Sequence, residues 1–283
     1  MQLRNLNLKN SLLFLIVVCF FYSCKKTGIE KTTIIYNGDT LRLETLYNKQ
    51  GNISSEWTYK DSVKHGYVKL FYPNGKLESY TEYKQGKRDG VVETYNPDGT
   101  AYCKGFNKQD KRDSVRFWFY KDGTINNKNN FYDDHNWRDQ YEYYPDHTLK
   151  EYTFYSDTSI TYKRTYNKDG QFVNEEGKNL YILYAGDTIK LGGNFVFIYF
   201  AALLPEFDYS LQIRMKNQTG KIEYDTIISN KGLDDYPDSK KYIDEFKPSS
   251  TGKFTYTAIL SRNDTINHIK KKDTWILNLV VVK

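Results

Sequence analysis

The chain is poor in the residues that stiffen or staple small folds. It has 3 cysteines, 6 prolines, 2 methionines and 4 histidines in 283 residues. Cys19 falls inside the N-terminal apolar run, so Cys24 and Cys103 are the only other thiols, and no disulfide framework is expected. The histidines (His65, His135, His147, His268) show no His-x-x-x-His spacing, and no Cys-x-x-Cys accompanies them, so no metal centre is predicted. Asp133, Asp134 and His135 together with Asp146 and His147 offer one cation-ligating set, weighed against solvated turns. Neither a Gly-x-Ser-x-Gly elbow nor a phosphate loop occurs, and no catalytic residue or cofactor is assigned. A formal charge of +6 includes Arg4 and Lys9, and the other basic residues are interleaved with acids. That mixture excludes a nucleic-acid stripe. A long stretch with apolar residues at helical spacing is also missing.

What is abundant is aromatic: 27 Tyr and 16 Phe, with aromatics at 17% of the chain. Both are strand formers, so the reading is all-β. Residues 1–23 are set apart as a signal segment. Arg4 and Lys9 precede the apolar run Leu12–Tyr22, and Ser23 is the small residue before Cys24. The run is too short to span a hydrocarbon core of roughly 30 Å as a helix.

The turns YNKQG (47–51), FYPNG (71–75), YNPDG (95–99), FYKDG (119–123), YYPDH (143–147) and YNKDG (166–170) repeat at steps of 24, 24, 24, 24 and 23. A fixed period of this size marks a repeat array. The closing positions Gly51, Gly75, Gly99, Gly123, His147 and Gly170 suit a left-handed residue that ends a three-residue hairpin loop. Four residues earlier stand Tyr47, Phe71, Tyr95, Phe119, Tyr143 and Tyr166, expected to stack as an aromatic ladder. The residues after three of these, Tyr72, Tyr120 and Tyr144, form a candidate binding stripe. A second, polar turn lies between the glycine turns, in KQGKRDG (84–90) and KQDKRDS (108–114), with VKHG (63–66) in the same phase. An Asn37-Gly38 turn opens the array.

Ser23-Cys24 after the apolar run resembles a lipoprotein lipobox, with Phe21 where an aliphatic residue is usual. The resemblance implies cleavage before Cys24 and lipidation of its thiol. The unit GKLESYTEYKQGKRDGVVETYNPDG (75–99) resembles the MORN-repeat variant of bacterial proteins, some of them labelled antitoxins. The likeness covers roughly residues 45–170 and weakens after Gly123. It implies an elongated antiparallel sheet of successive hairpins over residues 24–173, and no fixed activity. Asp-Ser/Thr-aliphatic triplets at Thr40, Ser62, Ser114, Thr188, Thr226 and Thr265 are similar to the O-glycosylation sequon of exported Bacteroidota proteins. The alternative is that such a triplet merely opens a strand.

Beyond Gly170 the period stops. NEEGKN (174–179) reads as a linker, and seven short strand candidates follow, at 180–185, 187–192, 195–201, 209–216, 222–229, 253–260 and 274–282. They suggest an immunoglobulin-like β-sandwich over residues 174–283, placed to cap an open edge of the repeat sheet. The expected protein is a non-enzymatic lipoprotein of the cell envelope, anchored in a membrane, outer membrane favoured. Its repeat sheet would bind a protein, glycan or lipid surface and no nucleic acid. An antitoxin or immunity-like partner and a glycan-acting envelope enzyme are the competing readings.

Overall fold

The computed structural model describes residues 27–156, 159–184, 186, 188–201, 204, 207–229, 241–264 and 270–283. Cys24, the expected signal segment and Thr265 lie outside these residues. The described chain is all-β, and no helix is found among the described residues. Thirteen strands follow one another in sheet order as they do in sequence. These are β1 (Gly28–Tyr36), β2 (Asp39–Tyr47), β3 (Ile53–Lys60), β4 (Val63–Phe71), β5 (Leu77–Lys84), β6 (Lys87–Tyr95), β7 (Ala101–Lys108), β8 (Lys111–Phe119), β9 (Ile125–Tyr132), β10 (His135–Tyr143), β11 (Leu149–Ser156), β12 (Ser159–Tyr166) and β13 (Phe172–Gly177). A first compact unit ends at Thr100, and a second runs Ala101–Lys283.

Two kinds of turn alternate because each solves a different backbone problem. The glycine turns close on a pair of backbone bonds: Gly75 N–H donates to Tyr72 O at 2.8 Å, and Tyr72 N–H to Lys76 O at 2.8 Å. Gly51, Gly99, Gly123, His147 and Gly170 repeat this pattern, all with positive φ. The polar turns are tighter, with left-handed pairs at Asn37-Gly38, Asp61-Ser62, Gln85-Gly86, Gln109-Asp110 and Asp133-Asp134. Two consecutive left-handed residues make the two-residue hairpin whose twist matches the strands.

The polar segment KQGKRDG proves to be two features, a tight turn and, four residues on, a bulge. Gly66, Gly90, Ser114 and Arg138 hold that bulge with positive φ, 24 residues apart. A side chain of the facing strand fills the gap in the ladder. Thr58 Oγ1 accepts from Tyr67 N–H at 2.6 Å and donates to Tyr67 O at 2.7 Å, and Glu82 Oε2 accepts from Val91 N–H at 2.8 Å. Asn130 Nδ2 donates to Asp139 O at 2.8 Å in the equivalent place. At these three bulges a backbone group freed by the bulge is thus paired in the sheet itself.

The remaining strands are β14 (Leu180–Tyr184), β15 (Thr188–Lys190), β16 (Phe195–Ala201), β17 (Phe207–Asn217), β18 (Ile222–Ser229), β19 (Lys241–Phe246), β20 (Gly252–Asp264) and β21 (Lys270–Val282). They form a three-stranded sheet, β14-β16-β19, and a five-stranded sheet, β15-β21-β20-β17-β18. Both contribute to one core, where the Phe197 and Tyr256 rings stack at 3.8 Å. All seven strand candidates are present. The eighth, β19, was not expected from its polar sequence KYIDEF, and β15 pairs with β21 in parallel. The turn Asn217–Gly220 between β17 and β18 has the bonding of the repeat turns.

The segment expected as a linker is largely strand, since β13 includes Asn174 to Gly177 and pairs with β12. The eight later strands share their core with Tyr152, Phe154 and Tyr162 on β11 and β12. They therefore pack on a face of the repeat sheet, where capping of its edge was the expectation.

Candidate functional site: the tyrosine face of the repeat sheet

Side chains alternate between the two faces of a strand, so the strand register sorts the repeat residues into rows. In the first unit one row runs Glu30, Thr45, Glu56, Lys69, Tyr80, Glu93 across β1 to β6. In the second, the equivalent row runs Lys104, Phe117, Lys128, Tyr141, Tyr152, Arg164, Glu175 across β7 to β13. We call the side bearing these rows the tyrosine face. The reverse face carries smaller residues, Leu46, Ser55, Leu70, Ser79 and Thr94 in the first unit. In the second unit it carries Cys103, which is buried opposite Trp118, and burial pushes its thiol pKa up. That thiol is a packing group.

The expected ladder residues are on the tyrosine face, but they do not stack on one another. Each closes an even-numbered strand, so another strand stands between successive members, about 9.6 Å from one to the next. Direct ring contact needs centroids within roughly 7 Å. Five of the ladder aromatics face an apolar residue across their own turn instead: Tyr47 opposite Ile53, Phe71 opposite Leu77, Phe119 opposite Ile125, Tyr143 opposite Leu149 and Tyr166 opposite Phe172. Tyr95 donates to Glu93 Oε2 at 2.6 Å. The ring contacts join other positions, such as Tyr67 with Tyr80 at 6.1 Å and Tyr141 with Tyr152 at 5.2 Å.

Tyr72, Tyr120 and Tyr144 have internal work. Their hydroxyls donate to the carbonyls of Tyr95, Tyr143 and Tyr166 at 2.7, 2.7 and 3.1 Å, one repeat further along. These three latch neighbouring glycine turns. The turns at Asn48, Asn96 and Asn167 have Asn in that place, and Asn48 and Asn167 use the side chain to hold their own loop, with Asn167 Oδ1 accepting from Gln171 N–H at 2.9 Å.

Of the glycosylation-like positions, Thr40, Ser62, Ser114 and Thr188 are exposed and Thr226 is half-buried. Ser62 is a tight-turn residue and Ser114 a bulge residue, which gives both triplets a backbone role. The Asp133–His135 and Asp146–His147 groups sit at opposite ends of β10, so they cannot share a cation. Among the described residues no group of three His, Cys, Asp or Glu could hold a metal.

The tyrosine face carries ordered carboxylates. Tyr47 donates to Glu30 Oε2 at 2.6 Å. The Tyr36 and Tyr80 hydroxyls, 2.9 Å apart, both donate to Glu82 Oε1, at 3.1 and 3.0 Å. Burial and then the hydrogen bonds to Tyr36 and Glu82 push the Tyr80 pKa up. Tyr95 is pushed up to about 12 by burial and by Glu93. These phenols stay neutral donors at physiological pH, and the carboxylates stay oriented.

The same face shows what such groups bind. Lys69 Nζ lies 4.4 Å over the Tyr67 ring and 3.1 Å from Glu56 Oε2. Where the later strands dock, Arg262 of β20 sits 5.1 Å over the Tyr162 ring and donates to Tyr162 Oη at 2.9 Å and Glu175 Oε2 at 2.8 Å. Lys271 of β21 also reaches Glu175. Arg164 of β12 pairs in return with Asp264 of β20 at 2.8 Å. Sequence reasoning missed Glu175 because NEEGKN carries no strand alternation.

No family model matches the chain, and a search of curated proteins finds no match. The resemblance to the MORN-repeat variant rests on the residues alone.

Proposed function

We propose that this chain is a non-enzymatic binding protein of the bacterial cell envelope, lipid-anchored at Cys24. Its hairpin array is of the MORN-variant type, and the two later sheets form an immunoglobulin-like sandwich. The observation that carries the reading is the tyrosine face, a row of rings and charged groups in both units, with ordered carboxylates in the first. Part of that face in the second unit already serves as a docking surface for β17, β20 and β21. Tyr102 (51% exposed) and Phe106 (36%) on β7 leave apolar surface open to a partner. A repeat array gives many equivalent contacts, each weak, which suits a scaffold.

Site-specific photo-crosslinking in intact cells tests this. Crosslinkers placed at Tyr80 and Tyr102 on the tyrosine face should give defined adducts, and those at Ser79 and Thr165 on the reverse face should not. Adducts confined to the reverse face, or none from either, would refute the reading. Loss of membrane attachment in Cys24→Ala is the expected result for the anchor, and retained attachment would remove it.

A further inference from the structure

We infer that the tyrosine face of the first unit, β1 to β6, is a docking surface for a basic polypeptide presenting arginine or lysine side chains. This rests on the reading of the repeat sheet as a binding surface and names the partner's chemistry.

The molecule already makes a contact of this kind. In the second unit the tyrosine face receives the β20–β21 hairpin through cations. Arg262 is held by a ring, a phenol and a carboxylate, those of Tyr162 and Glu175, and Lys271 shares that carboxylate. A guanidinium suits such a socket because it stacks on a ring while its edge donates to oxygen. In the first unit Tyr67 and Glu56 already hold Lys69, and the same kinds of group recur beside them in other pairings. Glu93 stands opposite Tyr80 and two residues from Tyr95, and Glu82 is two residues from Tyr80 on the same side. Tyr36, Tyr80, Glu82, Glu93 and Tyr95 are all half-buried, so their outer surfaces face solvent.

Charge points the same way. Glu30, Glu56, Glu78, Glu82 and Glu93 lie on this face around Lys69, while Lys60, Lys84 and Lys87 stand at its tight-turn end. Lys69 shows that an ammonium ion is accepted there, between Tyr67 and Glu56. The carboxylates are pre-positioned by Tyr hydroxyls. A partner therefore meets groups that need little reordering, which lowers the entropic cost of binding. An acidic partner or an anionic lipid surface would face like charge on this side.

Calorimetry on the purified full chain tests the inference with three probes: a peptide of alternating Arg and Thr, its Glu-for-Arg counterpart, and a neutral chitin oligosaccharide. The Arg peptide should bind, more weakly at high salt, and the other two should not. The double variant Glu56→Gln/Glu93→Gln should weaken Arg-peptide binding about tenfold with circular dichroism and melting temperature kept. Glu44→Gln on the reverse face, where Glu44 pairs with Lys31 at 3.1 Å, should change nothing. No binding of the Arg peptide, or binding that the double variant retains, overturns the inference. So does preference for the oligosaccharide. Face-specific adducts in cells without Arg-peptide binding would leave the binding-surface reading standing and remove only the basic partner.

Discussion

At the scale of single residues, backbone conformation and close approach decide more than side-chain chemistry. Gly66 has a φ of +94°, and a Cβ there would meet Leu41 Cδ1 at 2.6 Å and Thr58 Oγ1 at 2.7 Å. Gly66→Ala should lower stability by roughly 1–3 kcal/mol in urea unfolding, from strain and crowding together. Gly75 has a φ of +82° with nothing within 4 Å of such a Cβ, so Gly75→Ala bears only the conformational cost of about 1 kcal/mol. Equal losses at the two sites would contradict this account. Tyr120→Phe removes one latch between glycine turns and should cost about 1 kcal/mol. A binding stripe would show no such loss.

At the scale of the element, each hairpin is fixed by its turn chemistry and its bulge. His147 stands in the left-handed place that glycine holds in the other five repeat turns, with a φ of 70°. His147→Gly should therefore stabilise by about 1 kcal/mol, read as a shift of the unfolding midpoint. The same turns carry a pH dependence. Hydrogen bonds from the Thr124 side chain and backbone hold the Asp122 carboxyl below its ordinary 3.8, and those from the Thr148 backbone and side chain do the same for Asp146. A depressed carboxylate gives stability that is present above the unfolded value and is lost as pH falls through the folded one. Stability should fall between about pH 5 and about pH 2, and Asp122→Asn/Asp146→Asn should flatten that limb. An unchanged acid limb would argue that other carboxylates control it.

At the scale of the whole molecule, the decisive feature is the charge network that joins the last repeats to the later strands. Arg164 is 2% exposed, lies 4.7 Å from the Phe207 ring centroid, and pairs with Glu175 and Asp264. Glu175, at 7%, accepts from Arg164 and Arg262 and pairs with Lys271. Removing one partner leaves an uncompensated buried charge, so Arg164→Ala should cost about 3–5 kcal/mol. It should also open the β20–β21 hairpin to limited proteolysis before the repeat strands. Simultaneous loss of both would mean the sheet and the later strands unfold as one cooperative body.

The period, the glycine turns, the all-β class and seven of the eight later strands are legible in the residues alone. Those are local properties: a left-handed turn position needs glycine wherever it occurs, and apolar alternation marks a strand without reference to its neighbours. The bulge was visible only as part of a polar run, because Gly66, Gly90, Ser114 and Arg138 share a conformation but no residue type. β13 and β19 were hidden for the same reason, their stability coming from strand partners and not from their own pattern. Which residues share a face, which rings touch, and that Arg262 meets Glu175 across 87 positions were decided by tertiary structure alone. Register places side chains by pairing between strands, and a buried ion pair forms only where folding excludes water from both ends.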